Sequence, residues 1–186
     1  MKNKIIITPK KPIPISSKGF SEYMIKLNKN QVDYENLKFR KELKGFREQS
    51  ERHITIIGDK ASLKIERALN KFSLLERKKK VIRLKFLLKN LKWEYVQKDI
   101  YLISKKTYLK GFNVLEKRES YIRLVEMSDI NVFYRKLNTL LKTRIPIQVP
   151  HITLFTKGEY RPYRNYFGIS ISSKTMFKKL NPRRIY

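Results

Sequence analysis

The sequence predicts an α+β domain with two similar lobes, in which two antiparallel sheets line a central groove and the helices lie outside. Two observations support this prediction. The only two histidines among the 186 residues lie in the same tripeptide, His53-Ile54-Thr55 and His151-Ile152-Thr153. Strand-like and helix-like segments also follow one another without the regular βαβ order of a parallel sheet. A polar triplet placed twice, about half a chain apart, suggests two halves that face one site.

Each tripeptide is predicted to lie in a strand, at residues 52–57 and 151–155. Alternate residues of a strand point to the same face, so each motif presents an imidazole beside a hydroxyl while Ile54 or Ile152 turns into the core. Two such strands brought together give a tetrad of two acid–base groups and two hydroxyls that hold an oxyanion. The alternative is a pair of structural histidines, each bonded to its neighbouring threonine.

The first half of the chain begins with a basic segment, residues 1–18, that contains three prolines. It is expected to be a flexible arm, either solvated or in contact with RNA, ahead of one domain over residues 19–186. The predicted elements that follow are a strand at 21–26, a short helix near 35–44, the first motif strand at 52–57, and a helix over about 60–72 capped by Asp59.

The next predicted element is a helix over residues 76–92, in which Val81, Leu84, Leu88 and Leu91 have helical spacing. Its other face is rich in lysine and arginine, and is either a solvated helix face or a surface that tracks phosphates. The predicted elements that follow are strands at 93–96 and 100–104 around a Lys98-Asp99 turn, a basic connection over 104–119, and a strand at 120–125. After these come a helix capped by Ser128 or Asp129 and running to about 142, the second motif strand at 151–155, a strand at 166–172, and a short helix from Ser173 to 180.

The net charge is +28, with 44 Lys and Arg against 16 Asp and Glu. Such a field attracts polyanions and makes their binding depend steeply on salt, and RNA is the simplest partner. An anionic membrane surface is less favoured, because no anchor is visible, so no membrane partner is expected. The charge disfavours self-association at low salt, and a monomer is expected.

The composition also bears on cofactors and location. The chain has no cysteine, so it has no disulfide and no Cys-based metal site. Two histidines and few acids leave little for a metal site, and neither a metal nor another cofactor is expected. No run of about 18 apolar residues and no apolar core of a secretory signal is present, which makes the cytoplasm the expected location.

The two motifs, in the contexts Arg52-His53-Ile54-Thr55 and Pro150-His151-Ile152-Thr153, resemble the two-histidine (2H) phosphoesterase superfamily. Its members carry two His-x-Thr/Ser motifs in a bilobal fold with a pseudo-twofold axis, and include 2′-5′ RNA ligase-like proteins and 2′,3′-cyclic nucleotide phosphodiesterases. The resemblance spans roughly residues 20–180. It implies catalysis by His53, Thr55, His151 and Thr153 without a metal.

The resemblance leaves the substrate contacts less defined. Many RNA ligase-like members have an arginine five residues after the second motif histidine, where this chain has Thr156 followed by Lys157. Lys157 is a candidate replacement for that phosphate contact. The following segment adds candidates for base stacking and phosphate binding, or else forms a surface turn packed on the sheet. These candidates are Tyr160, Arg161, Tyr163, Arg164 and Tyr166.

The expected function is that of a metal-independent RNA phosphoesterase acting on 2′,3′-cyclic phosphate ends or 2′-5′ linkages. One histidine would act as base and the other as acid, in an order that the sequence leaves open. The alternatives are a phosphodiesterase for small cyclic or 2′-5′ oligonucleotides, a non-catalytic basic RNA-binding protein, and a pseudoenzyme that keeps the tetrad without a competent pocket.

Overall fold

The computed structural model describes residues 6–14, 22–32, 43–109, 113–158 and 168–185. Its strands are β1 (Ile13–Pro14), β2 (Tyr23–Leu27), β3 (Arg47–Glu48), β4 (Arg52–Ile57), β5 (Val96–Leu109), β6 (Val114–Glu126), β7 (His151–Gly158) and β8 (Arg183–Arg184). Its helices are a 3-10 turn at Lys29–Gln31, α1 (Asp59–Leu69), α2 (Leu74–Asn90), α3 (Ser128–Leu141) and α4 (Lys174–Lys179). None of the helices in these ranges has the length and apolar character of a membrane span.

The strands of the described ranges form one antiparallel sheet in the order β1-β2-β4-β7-β6-β5-β8, and β3 pairs with β7 beside β4. The predicted mixture of helices with an antiparallel sheet is therefore confirmed. The two separate sheets of the prediction are instead joined into one. The joint lies at the motif strands themselves, because Ile54 of β4 pairs directly with Ile152 of β7.

The main core lies on the side of the sheet to which Ile54 and Ile152 point. Both are fully buried and belong to one apolar cluster with residues of α1, α2 and α3, among them Ile65, Leu84 and Phe133. An amphipathic helix must bury its apolar stripe against another layer, so three helices on one face of the sheet account for this core. The opposite face of the sheet is left for the polar motif residues.

A second, smaller cluster covers part of that opposite face. It joins Ile103 of β5 and Ile122 of β6 to Ile169 and Ile171, with Phe177 of α4 packed against it. The segment at residues 168–172 does not form the strand predicted at 166–172, although the Val149 N–H donates a long bond of 3.4 Å to the Ile171 carbonyl. The short helix predicted after Ser173 is confirmed as α4, and the Ser173 hydroxyl accepts from the Met176 N–H.

The helix boundaries follow local capping chemistry. Ser73 and Glu76 form a reciprocal capping box that starts α2, two residues before the predicted start. Asp59 was predicted as the cap of α1 but is its first helical residue, and Gly58 occupies the cap position. The Gly58 N–H donates instead to the Gln148 side-chain oxygen over 2.9 Å, so a distant residue satisfies this helix end.

The strand predicted at 100–104 is confirmed as part of β5, but the turn at Lys98-Asp99 and the basic connection predicted after it are wrong. β5 runs without a turn through Lys98 and Asp99, where the pairing register shifts, and continues to Leu109 as a long hairpin with β6. The basic residues that suggested a loop lie on this hairpin. A two-stranded ribbon satisfies its backbone by cross-strand bonds and tolerates charged side chains on exposed faces.

Residues 6–14 of the expected flexible arm are held against the domain. Ile7 and Tyr95 exchange both backbone hydrogen bonds, at 3.0 and 3.1 Å, and Ile13–Pro14 pairs with β2 as strand β1. Lys11 also donates to the Leu91 carbonyl over 2.8 Å. Backbone pairing of this kind outweighs the extended, proline-rich character that suggested an arm. The helix predicted near 35–44 lies largely outside the described residues.

Candidate active site

The pairing of the two motif strands brings the predicted tetrad together. β4 and β7 are antiparallel neighbours, and Ile54 lies opposite Ile152. In an antiparallel register this sets His53 opposite Thr153 and Thr55 opposite His151. Directly opposed residues share a face, with Cβ atoms about 4.5–5.5 Å apart. All four side chains therefore project from one small area of the sheet, named here the tetrad face.

His151 is the more buried of the two histidines, with 7% of its surface exposed. Its Nδ1 lies 2.9 Å from the Val149 carbonyl oxygen. A carbonyl can only accept, so Nδ1 carries the proton and Nε2 is left as the acceptor. Burial lowers the pKa of His151 to about 4, against the opposing effect of the Val149 carbonyl. His151 is thus a neutral base at pH 7.

His53 is only partly buried, and its pKa is lowered chiefly by that burial. The carboxylate and main-chain carbonyl of Glu51 act in the opposite direction and raise it. Its Nδ1 is buried and has no hydrogen bond of normal geometry within the described residues. The charge of His53 in turn lowers the pKa of His151, which places the two imidazoles within electrostatic reach.

An ion pair borders His53. Lys26 of β2 lies opposite His53 in the strand register, and its Nζ is 2.5 Å from Glu51 Oε1. The hydrogen bond from Lys26 is the main reason that the pKa of Glu51 is lowered. Sequence reasoning missed both residues. Glu51 had a signal, because it precedes His53 by two positions and shares its face, whereas the position of Lys26 depends on strand pairing.

A β-bulge in β7 redirects the residues that follow the second motif. Thr153 lies opposite Ile122, but Phe155 lies opposite Tyr121, so one residue of β7 is extra. Beyond the bulge the alternation is inverted, and Thr156 returns to the tetrad face while Lys157 points to the other face. There the Lys157 ammonium lies 5.6 Å from the centre of the Phe46 ring. This placement does not support the predicted role of Lys157 as a phosphate contact.

A polar strip extends from the tetrad along β7. The Gln49 amide donates to Thr156 Oγ1 over 2.8 Å, and Ser120 of β6 lies opposite Thr156 with its hydroxyl buried. Arg47 of β3 lies opposite Thr156 on the other side, so this exposed arginine belongs to the tetrad face. Arg47 and Lys26 are cations near the tetrad that the sequence did not single out.

Gly168 allows the chain to pass very close to Thr153. A Cβ atom placed on Gly168 would lie 2.8 Å from Thr153 Oγ1 and 3.2 Å from its Cγ2, closer than side chains normally approach. Glycine is therefore required here by space, not by a special backbone angle. The remaining predicted substrate contacts, Tyr160, Arg161, Tyr163, Arg164 and Tyr166, lie outside the described residues.

The tetrad therefore combines two imidazoles, whose pKa values are both lowered by burial, with two hydroxyls on the same face of the sheet. No cluster of three or more His, Cys, Asp or Glu side chains with the geometry of a metal site occurs in the part of the chain that the structure describes. No protein-family model, curated protein or solved structure matches this chain. What the tetrad can do chemically is therefore inferred from its geometry alone.

Proposed function

We propose that this protein is a metal-independent RNA phosphoesterase that acts on 2′,3′-cyclic phosphate ends or 2′-5′ linkages. One observation carries the proposal. The Ile54–Ile152 pairing sets each motif histidine opposite the threonine of the other motif, on one face of the sheet. A cyclic phosphodiester needs a base, an acid and donors for its non-bridging oxygens, and this arrangement supplies all of them.

The environments of the two histidines favour different roles. His151, with a pKa of about 4, takes a proton from water, whose oxygen attacks the phosphorus. The bond from phosphorus to one ribose oxygen breaks, and His53 donates a proton to that oxygen. The bound phosphate anion raises the pKa of His53, as Glu51 already does, and so favours the protonated form that an acid requires.

Two hydroxyls and two cations on the tetrad face bind the phosphates. Thr55 and Thr153 donate hydrogen bonds to the non-bridging oxygens, where negative charge builds up during attack. Lys26 and Arg47 lie on the same face and attract neighbouring phosphates of the substrate. The net charge of +28 extends this attraction over the molecule and favours RNA over a small cyclic ligand, which needs no extended basic surface.

A non-catalytic RNA-binding protein is the second candidate, and one observation favours it. His151 is only 7% exposed and its Nδ1 is already bonded to Val149, as in many structural histidines. In that case the basic surface binds RNA and the tetrad stabilises the pairing of β4 with β7. The two candidates differ in what the loss of an imidazole does to turnover.

The deciding experiment is hydrolysis of a short RNA ending in 2′,3′-cyclic phosphate, in the presence of EDTA. The proposal predicts turnover by the wild type and a loss of about 10²–10⁴-fold in His53→Ala and in His151→Ala, with RNA affinity nearly unchanged. Thr156→Val is the matched control, because Thr156 lies on the same strand and face outside the tetrad. Retained turnover in both histidine variants contradicts the proposal, and tight RNA binding without wild-type turnover establishes the second candidate.

A further inference from the structure

The outer face of α2 carries a line of large apolar side chains. Leu75, Ile82 and Phe86 are 64%, 67% and 64% exposed. They are spaced seven and four residues apart, so they lie on one face of the helix. Leu84 and Leu88 are buried in the main core on the opposite face. The three residues Leu75, Ile82 and Phe86 are called the α2 ridge.

Cations border the α2 ridge on both sides. At 3.6 residues per turn, Lys78, Lys85 and Lys89 lie along one side of the ridge and Lys79 and Arg83 lie along the other. All five are exposed, and none has an ion-pair partner within the described ranges. The one acid of α2, Glu76, lies in the first turn and is engaged in the capping box with Ser73.

We propose that α2 docks on an anionic lipid surface, with the α2 ridge inserted among the acyl chains and the bordering cations on the lipid phosphates. This proposal is independent of the proposed function. An apolar strip between two rows of lysine and arginine is the arrangement of helices that lie in a membrane interface. The long stems of these side chains follow the apolar ridge while their charges stay at the headgroups.

The shape and chemistry of the ridge favour lipid over the other polyanions and over protein. RNA phosphates neutralise the lysines, but RNA presents no apolar surface to the helix. Leu75, Ile82 and Phe86 therefore remain in water. A protein partner needs a preformed groove that fits a convex ridge, whereas a bilayer deforms around it. The net charge of +28 draws the whole protein toward a negative surface.

The α2 ridge acts as the membrane anchor that is not visible in the sequence. The helix predicted at 76–92 has one apolar stripe and one basic face, and the prediction assigns Ile82 and Phe86 to neither. Only the packing of Leu84 and Leu88 against the sheet shows that Ile82 and Phe86 point outward. An exposed apolar line of this size on a well-capped helix indicates an interaction surface.

The test is co-sedimentation of the full chain with phosphatidylcholine vesicles, with and without phosphatidylserine, at physiological salt. Wild type is expected to bind only the vesicles with phosphatidylserine. Ile82→Ser/Phe86→Ser is expected to lower that partition by about tenfold or more, since burying two such side chains contributes well over one factor of ten. Leu115→Ser, at a 57% exposed residue of β6, is the matched control and should leave binding unchanged.

Further measurements distinguish lipid from RNA and from a second copy of this chain as the binding partner of the α2 ridge. RNA affinity should be the same in wild type and in Ile82→Ser/Phe86→Ser, while Lys79→Gln/Arg83→Gln should weaken binding to vesicles and make it less salt-dependent. The proposal is overturned if wild type ignores phosphatidylserine vesicles or if the ridge variant binds them as wild type does. A ridge variant that loses RNA affinity, or that changes oligomeric state in sedimentation, assigns the ridge to RNA or to a second copy and also overturns it.

Discussion

Acid should destabilise this protein through His151 in a way that one substitution removes. The pKa of His151 falls from its ordinary value of 6.5 in the unfolded chain to about 4 in the folded protein, because burial penalises the charged form. Below pH 6.5 the unfolded state therefore binds a proton that the folded state does not. The free energy of unfolding falls as the pH drops from 6.5 toward 4 and is not changed by this residue above that range.

The size of the effect follows from the two pKa values. Each pKa unit corresponds to about 1.36 kcal/mol, so the full difference is on the order of 3 kcal/mol. Between pH 7 and pH 5 the same two values give a loss of about 2 kcal/mol. The assay is urea unfolding at several pH values for wild type and His151→Asn. Asparagine has no titration in this range, and its amide can still donate to the Val149 carbonyl.

The comparison isolates His151, because the carboxylates and His53 titrate in both proteins. The wild type should lose about 2 kcal/mol more than His151→Asn between pH 7 and pH 5. His53→Asn serves as a second control. Because His53 is less buried than His151, this substitution should change the pH dependence of the free energy of unfolding less than His151→Asn does. If the free energy of unfolding depends on pH in the same way for wild type and His151→Asn, the claim that His151 is neutral in the folded protein is refuted.

Three further predictions concern the tetrad and the core beneath it. Glu51→Gln removes a carboxylate that raises the pKa of His53, so the alkaline limb of the pH–rate profile should move to lower pH; an unmoved limb would argue against His53 as the acid. Gly168→Ala places a methyl group 2.8 Å from Thr153 Oγ1 and should affect kcat more than KM in RNA hydrolysis by lowering kcat. Unchanged kinetics would show that the chain around residue 168 shifts easily to make room for the methyl group. Ile152→Ala should lower the urea-derived free energy of unfolding by about 2–5 kcal/mol, because the residue is fully buried, and a loss below about 1 kcal/mol would contradict its place in the core.

Local patterns in the sequence predicted many of the elements well. The first motif strand is predicted at residues 52–57 and is observed as Arg52–Ile57. The helix predicted with Ser128 or Asp129 as its cap is observed as α3, but Ser128 is its first residue and Met127 takes the cap position without a side-chain cap bond. The prediction failed where basic residues were taken as evidence for a loop. Residues 104–109 and 114–119 belong to the paired strands β5 and β6 and not to the basic connection predicted there, because backbone pairing does not depend on an apolar side-chain pattern.

Some residues of the site could likewise be predicted from local sequence, whereas others depend on how the strands pair. The alternation His-Ile-Thr determined, within each motif, that imidazole and hydroxyl share a face and that the isoleucine is buried. Glu51 follows from the same period of two. Lys26 and Arg47 entered the site only through their pairing with β4 and β7, and a bulge in β7 sent Lys157 to the opposite face.

The sequence by itself determined which residues can form a tetrad, because the side-chain period of a strand is a local property. The tertiary structure decided that Ile54 faces Ile152, that one sheet replaces two, and that His151 is buried deeper than His53. It also decided which apolar residues of α2 remain exposed. Strand register and helix orientation depend on contacts between residues about a hundred positions apart, and a one-residue shift would reverse every face.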